Sequence, residues 1–341
     1  MTGFDLLINQ ERPTRILATL LKNRTLPHAL LFTGTAGVGK QAAALALAMA
    51  CNCRSESSGL RAESDLEQDA SRPALQSCGG CRSCLKIAAN NHPDIIQVQP
   101  RGPFIKIEQI RTLLQTLSMK PYEAKTRVVI ISEAQCMNAA ASNALLKILE
   151  EPPDRSMLVL LANHRSDLLP TIASRCQRVQ FNRIPEKYIA SWIIKKYGLN
   201  VQAAQIIAAM ANGSLSNAQL MIDENWMEGR KWLIAEMQRL SLQPAARLLA
   251  LAEKLARDKE SIPGRLEIIK SWFRDLVISP YDDRKIINRD VSNAIKVASG
   301  QSETWVHLSK LDAVQKIQRG LKANTNLRLS MEKLLIQLAQ P

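Results

Sequence analysis

A glycine-rich segment near the amino terminus has the residue types and spacing of a loop that holds phosphates. The pattern G-x-x-x-x-G-K runs through it, and its glycines and lysine are Gly34, Gly37, Gly39 and Lys40. The backbone N–H groups of such a loop, at the positive end of a helix, bind phosphate oxygens, and the lysine adds a cation. The segment therefore predicts a nucleotide-binding loop between a strand and a helix, with an ordinary strand–helix turn as the alternative.

Two positions that normally hold the magnesium ion of a nucleotide carry unsuitable side chains. Gln41 stands where a Ser or Thr hydroxyl is expected, and Ser132 stands where an Asp is expected after an apolar run. Phosphoryl transfer depends on the charge neutralisation that this ion supplies. The sequence therefore allows ATP or ADP binding and predicts no hydrolysis, although Glu133 remains where a water-polarising base would stand. The alternative is an ATPase in which Gln41 and water hold the ion.

Three cysteines at short, regular spacing could bind a metal ion. The motif CGGCRSC places Cys78, Cys81 and Cys84 at C-x₂-C-x₂-C, and tetrahedral Zn²⁺ requires a fourth ligand. Cys53 is the first candidate for that ligand and Cys51 is the second. A closed set of four thiolates predicts a structural zinc site without catalysis, and free or redox-active thiols are the alternative.

The segment LLPTIASRCQRVQF places Arg175 at the end of a short helix, directly before a predicted strand. A guanidinium in this position could pair with a carboxylate nearby, or it could reach the phosphates of a neighbouring subunit as an arginine finger does. The spacing by itself favours the local carboxylate.

Short apolar runs alternate with helical patterns through the first half of the chain. The runs that predict strands are Ala29–Thr33, Asp94–Val98, Arg127–Ser132, Ser156–Ala162 and Arg178–Phe181. Helices are predicted at Gln41–Cys51, at Ile107–Leu117 and at 140–151, where two prolines follow. This order predicts a parallel sheet with helices on both faces. Beyond about residue 183 the patterns predict helices only.

The composition is that of a globular protein with many basic residues. Lys and Arg number 45 against 31 Asp and Glu, a formal charge of +14, so that a polyanion such as DNA and a merely solvated basic surface are both reasonable. Aromatic residues make up only 4%, too few for a platform that stacks unpaired bases, and contacts to backbone phosphates are expected instead. The chain has neither a signal-peptide pattern nor an apolar run of the roughly 20 residues that span a membrane, so we expect a cytoplasmic protein.

Several motifs, taken together, resemble the bacterial DNA polymerase III clamp-loader subunits. They are, in chain order, LPHALLFTGTAGVGK, CGGCRSC, HPDI, IRTLLQTL, ASNALLKILEEPP and LLPTIASRC, and they cover nearly all of residues 1–182. The ending NTNLRLSMEKLLIQL is similar to that of the δ′ type. The chain stops there without the long extension of the τ type, as expected of the δ′ type rather than the ATP-hydrolysing γ/τ type.

The resemblance implies an α/β RecA-like AAA+ parallel-sheet domain with a zinc module, then a small helical lid domain and an all-α collar domain. The expected bounds are 1–183, with the zinc module at about 51–86, then 184–224 and 225–341. It also implies a non-hydrolysing component of the DNA polymerase III holoenzyme that helps load the sliding clamp on primed DNA, together with γ/τ and δ subunits. The segment Arg54–Gln76 is a predicted surface insertion, longer than the family pattern requires.

The resemblance also assigns individual residues. The zinc ligands of the family correspond to Cys53, Cys78, Cys81 and Cys84. This match favours Cys53 over Cys51. The arginine finger corresponds to Arg175, which is then expected to act in trans on ATP bound by the adjacent γ/τ subunit. Asn163 stands in the region of one phosphate sensor, whereas Ser216 replaces the Arg of the other sensor, so that a subunit completing its neighbour's site is expected.

Overall fold

The computed structural model describes residues 7–54, 77–320 and 326–340, which belong to two compact units. Unit 1 comprises the described residues up to Tyr188 together with Gly213–Ser216, and unit 2 comprises the others. The predicted insertion Arg54–Gln76 lies outside the described residues, apart from Arg54. In the described ranges no helix has both the length and the apolar character needed to cross a membrane.

Unit 1 is built on a five-stranded parallel sheet with the order β2-β3-β4-β1-β5. Its strands are β1 (Ala29–Thr33), β2 (Ile95–Val98), β3 (Arg127–Ile131), β4 (Ser156–Ala162) and β5 (Gln177–Gln180). Its helices are α1 (Glu11–Lys22), α2 (Lys40–Asn52), α3 (Arg82–Ala88), α4 (Ile107–Leu117), α5 (Ala139–Glu150) and α6 (Pro170–Ser174). The predicted parallel sheet is confirmed, and every strand begins and ends within one residue of its predicted bounds.

Two separate apolar layers cover the sheet, because successive side chains of a strand leave opposite faces. Leu31 of β1 belongs to a buried cluster with residues of α4 and α5, whereas Leu30 and Phe32 belong to a cluster with residues of α1, α2 and α3. Burial on both faces explains why the strands appear in the sequence as continuous apolar runs. Since all strands run parallel, the residues that follow them meet at one edge of the sheet.

Unit 2 is helical throughout its described residues, as predicted for the chain beyond residue 183. Its helices are α7 (Glu186–Tyr197, which begins in unit 1), α8 (Val201–Met210), α9 (Leu215–Asp223, which also begins in unit 1), α10 (Trp226–Gln238), α11 (Ala245–Ala256), α12 (Ile262–Ile278), α13 (Ser292–Ser299), α14 (Thr304–Gly320) and α15 (Leu327–Ala339). Residues of α10 to α15 share one buried cluster, in which Trp272 is the largest side chain. The predicted division into 184–224 and 225–341 stays a prediction.

Candidate functional site

The glycine-rich loop lies at the carboxyl edge of the sheet, between β1 and the first turn of α2. Gly34 and Gly37 have φ values of +147° and +76°, which L side chains rarely adopt. A Cβ at Gly37 would lie 2.0 Å from Oγ of Ser214, and the Gly37 carbonyl accepts a hydrogen bond from the Leu215 amide at 3.0 Å. The loop therefore needs its glycines both for their backbone conformation and for the close approach of a second segment of unit 1.

Lys40, the cation of the loop, is folded back onto the loop itself. Its Nζ donates to the carbonyl oxygens of Gly34 and Thr35, the latter at 2.9 Å, and the residue is only 8% exposed. Burial lowers the pKa of Lys40 to about 8, so that the ammonium is mostly charged at neutral pH. Two of the three N–H donors of Lys40 are thus used within the loop, and a phosphate that binds here competes with these carbonyl oxygens for the ammonium.

The two positions that lack magnesium ligands are hydrogen-bonded to each other. The Ser132 hydroxyl donates to Oε1 of Gln41 at 2.9 Å, and Nε2 of Gln41 donates to Oε1 of Gln97 at 2.9 Å. Nε2 of Gln97 in turn donates to Oδ1 of Asn90 at 2.8 Å. This row of hydrogen-bonded side chains contains only neutral groups, whereas magnesium prefers carboxylate oxygens, phosphates and water as ligands.

Gln97 and Asn90 complete this arrangement but were not among the predicted site residues. A polar residue within the apolar run of β2 is the signal that could have indicated Gln97. Asn90 follows α3 in a turn with a φ of 55°, and nothing in its local sequence points to the phosphate loop. The pairing of Gln41 with Ser132 is equally invisible in the sequence, because the two residues are 91 positions apart.

Two further predicted residues of the phosphate site lie at the same edge of the sheet, and Ser216, which stands in place of a sensor arginine, lies beside the loop. Glu133 is exposed, and its carboxylate accepts a hydrogen bond from the Cys136 thiol at 3.8 Å. The Asn163 carbonyl accepts a hydrogen bond from the Gly34 amide at 3.0 Å, so the first amide of the loop is already paired. Cβ of Ser216 lies 2.9 Å from the position that a Cβ would take on the middle glycine of the loop. Ser216 thus lies beside the loop without supplying a positive charge.

Arg175 directly follows α6 and has a carboxylate partner within the same unit. One of its terminal nitrogens lies 2.9 Å from Oε1 of Glu150 at the end of α5, and the other donates to the Thr171 carbonyl at 3.0 Å. The side chain is 38% exposed and therefore remains accessible from outside while it makes both contacts. The local pair that the spacing favoured is present, and the action of Arg175 in trans stays a prediction.

The four predicted zinc ligands come together in unit 1. Their Sγ atoms all lie within 4.8 Å of one another, and the residues are Cys53, Cys78, Cys81 and Cys84. Metal–sulfur distances of about 2.3 Å in a tetrahedral site imply sulfurs about 3.8 Å apart. The 4.0 Å between Cys78 and Cys84 is close to that value. Cys51 is not a member of the group, and burial raises its pKa to about 12, so Cys53 is the fourth residue that can bind a metal ion here.

Backbone amides point at the sulfur atoms of this group. The Cys78 amide donates to Sγ of Cys53 at 3.4 Å, and the Cys81 amide donates to Sγ of Cys78 at 3.2 Å. Burial raises the pKa of Cys84, whereas hydrogen bonds from the backbone of Arg54 and Cys84 outweigh burial and lower the pKa of Cys81 to about 6. Several thiolates so close together repel each other, and a bound cation offsets that repulsion.

A buried carboxylate supports the region next to the cysteine group. Asp94, from the motif HPDI, is 1% exposed and pairs with Arg127 at 3.1 Å. It also accepts hydrogen bonds from three backbone amides, those of Tyr122, Glu123 and Ala124. Against the effect of burial, these bonds lower the pKa of Asp94 to about 2. The ring of His92, in the same motif, lies 3.2 Å from the hydroxyl of Ser83 on α3, so the motif joins the cysteine segment to β2.

A parallel sheet with a phosphate loop after its first strand, followed by a helical region, defines a RecA-like AAA+ protein. The chain matches the family described as "DNA polymerase III, delta subunit" over residues 9–185. Residues 224–340 match the family described as "DNA polymerase III, delta subunit, C terminal". The DNA polymerase III subunit delta' of Bacillus subtilis is 30% identical over 97% of this chain and 96% of that protein. The chain therefore belongs to the DNA polymerase III delta′ subunit family.

The chain is also similar to further proteins. The DNA polymerase III subunit delta' of Pseudomonas aeruginosa is 29% identical over 92% of this chain and 92% of that protein. The DNA polymerase III subunit tau of Bacillus subtilis is 25% identical over 99% of this chain but only 61% of that protein. Among solved structures, a DNA polymerase III gamma subunit-related protein of Thermotoga maritima aligns with 95% of this chain and 98% of its own, with a TM-score of 0.49 and 18% identity.

Proposed function

We propose that this protein serves as the δ′ subunit of a DNA polymerase III clamp loader and does not hydrolyse ATP itself. In this role it assembles with γ/τ and δ subunits and helps load the sliding clamp on primed DNA. Arg175 completes the ATP site of the adjacent γ/τ subunit. Family membership supports the place in the complex, and the hydrogen bond between Ser132 and Gln41 supports the loss of hydrolysis.

That hydrogen bond carries the proposal because it joins both positions at which a magnesium ligand is expected. A magnesium ion here would gain only a neutral hydroxyl and a neutral amide oxygen as ligands, and no carboxylate, from these two positions. Without an ion that bridges the outer phosphates, the developing negative charge of phosphoryl transfer is not neutralised. The loop keeps its glycines and Lys40, so passive binding of ATP or ADP belongs to the proposal and hydrolysis does not.

The test is the ATPase activity of the purified chain with magnesium. We expect turnover no higher than that of a Lys40→Ala variant, and tighter magnesium-dependent ATP binding by a Gln41→Thr/Ser132→Asp double variant. An improvement of about tenfold, or roughly 1.4 kcal/mol, would indicate that the metal position has been restored. Turnover of ATP by the unaltered chain that Lys40→Ala abolishes would contradict the proposal and favour an ATPase in its own right.

We also propose that the cysteine group holds a structural zinc ion. Four soft sulfur ligands within 4.8 Å of one another suit Zn²⁺, and a closed set of four leaves no position for a substrate. In the proposed subunit, residues 1–183 form the AAA+ domain, 184–224 form the lid and 225–341 form the collar that joins the other subunits.

A further inference from the structure

A cleft with a volume of about 470 Å³ borders the phosphate loop on unit 1. Residues 33–35, 163–166, 178, and 180–183 line it. The lining includes four basic side chains, which are His164, Arg165, Arg178 and Arg183. Among the described residues that line the cleft, none is Asp or Glu. We refer to it as the arginine cleft.

The sheet topology explains why basic residues from distant parts of the sequence meet here. Strands β4, β1 and β5 are neighbours in the sheet, and Phe32 of β1 lies in register with Leu161 on one side and Val179 on the other. The segments that follow these parallel strands therefore leave the sheet side by side. This carboxyl edge is also where open α/β sheets bind their ligands.

The contacts of Arg178 leave its positive charge in place. Arg178 donates to Oγ1 of Thr33 at 3.1 Å and to Oε1 of Gln180 at 3.0 Å, and both acceptors are neutral. The carboxylate of Asp167 accepts a hydrogen bond from the His164 amide at 2.9 Å and does not line the cleft. The guanidinium of Arg178 therefore holds its orientation without losing its charge.

The cleft offers hydrogen-bond donors rather than a surface for bases. Its aromatic residue, Phe181, is 3% exposed and packs against Phe32 with ring centroids 5.2 Å apart, so it presents no face on which a base could stack. Oγ1 of Thr35, which lines the cleft, is buried and has no hydrogen-bond partner in the described part of the chain. Planar guanidinium groups and a hydroxyl are donors that suit the oxygens of a phosphate.

We infer that the arginine cleft binds phosphate groups, which belong either to a nucleic-acid backbone or to a free polyphosphate. Arg165 and Arg178 supply the charge, and the hydroxyl of Thr35 supplies a further donor. The site borders the phosphate loop and shares Thr35 with it, but its cations are distinct from Lys40, because Arg165 follows β4 and Arg178 lies in β5. It depends neither on Arg175 nor on the loss of hydrolysis, so its failure would leave the proposed function untouched.

The first experiment measures how the full chain binds a fluorescein-labelled DNA duplex of about 20 base pairs, by anisotropy at several salt concentrations. The Arg165→Gln/Arg178→Gln variant removes two charges from the cleft. A matched control, Arg15→Gln/Arg155→Gln, removes two charges from exposed side chains elsewhere on unit 1. We expect the cleft variant to bind about 10- to 100-fold more weakly near 0.1 M salt, with the slope of log K against log salt reduced by nearly two.

The second experiment titrates pyrophosphate, without magnesium, into the same variants by calorimetry. A Lys40→Ala background removes the cation of the phosphate loop from this measurement. Weaker binding of DNA by the cleft variant assigns the site to a nucleic-acid backbone, and weaker binding of pyrophosphate alone assigns it to a free polyphosphate. Equal binding of both probes by the cleft variant and its control, or no binding of either probe by the unaltered cleft, overturns the inference.

Discussion

At the scale of single residues, the pairing of Gln41 with Ser132 makes two positions depend on each other. A hydrogen bond between neutral side chains contributes about 1 kcal/mol, and both side chains here are half-buried. Restoring only a hydroxyl at Gln41 would leave Ser132 and Gln97 without their common partner. A working metal position therefore requires both substitutions at once, and either one alone is expected to destabilise unit 1.

Asp94 gives a second prediction at this scale, because its charge is buried and fully hydrogen-bonded. A carboxyl whose pKa falls from 3.8 to about 2 on folding adds roughly 2 kcal/mol of stability above its unfolded pKa, and about half of that is lost near pH 3. Asp94→Asn should lower the free energy of unfolding by about 3 kcal/mol at pH 7, since Arg127 then has no carboxylate partner. Urea unfolding at pH 7, 5 and 3 measures this.

The pH dependence of unfolding shows whether Asp94 stabilises the protein through its charge or only through the packing of its side chain. The deficit of the Asp94→Asn variant should shrink as the pH falls through the range in which the unfolded carboxyl takes up its proton. The control is Asp154→Asn, because Asp154 is exposed and should change stability by less than about 0.5 kcal/mol at any pH. A deficit of equal size at pH 7 and pH 3 would show that the charge contributes nothing.

At the scale of elements, the cysteine group joins the end of α2 to α3. Cys53 caps α2 and Cys84 lies within α3, and both are buried. The segment CGGCRSC contains no large apolar side chain of its own. A metal ion bound by the four thiolates would supply the folding free energy that this segment does not gain from apolar packing.

Removal of one ligand tests this interpretation. Purified protein should contain about one zinc ion per chain, and Cys81→Ser should weaken zinc binding by more than about 100-fold, the upper end of what a lost outer-shell contact costs. Metal content by mass spectrometry of the purified protein measures the first value, and competition with a chelator measures the second. Cys136→Ser is the matched control, because Cys136 lies outside the group and should keep the ion. Equal zinc affinity in both variants, or no zinc in the unaltered protein, would contradict the assignment.

At the scale of the whole molecule, the role of Arg175 can only be tested in the assembled complex. Its pair with Glu150 is half-exposed, and such surface pairs contribute about 0–1 kcal/mol, so Arg175→Ala should leave the subunit folded and able to assemble. In the complex with γ/τ and δ subunits, turnover at the adjacent ATP site should fall by about 10³-fold or more. Total DNA-stimulated ATPase activity should then fall by the share of that one site.

Two controls accompany this measurement. Arg155→Ala removes an exposed arginine elsewhere on unit 1 and should leave the activity unchanged. Glu150→Gln removes the partner of Arg175 and keeps the guanidinium, so the complex should remain active. A complex that contains Arg175→Ala in full amount and hydrolyses ATP at the normal rate would refute the action in trans.

Much of this molecule could be predicted from the sequence, because the relevant signals are local. The strand Ala29–Thr33, the loop that follows it and the helix Ile107–Leu117 have the bounds that apolar runs and helical spacing indicate. The cysteine spacing likewise predicted three ligands of the group. The position of Cys53 at the end of a predicted helix and the family resemblance both favour it over Cys51, and the geometry of the described group agrees.

The sequence by itself determined the elements and their order, since backbone propensity and the period of apolar residues act over a few positions. Only the tertiary structure decided which side chains meet at the carboxyl edge of the sheet. Ser132 reaches Gln41 across 91 residues, Arg175 finds Glu150, and Arg165 lines one cleft with Arg178. The physical reason is that parallel strands bring distant segments side by side in an order that local patterns do not encode.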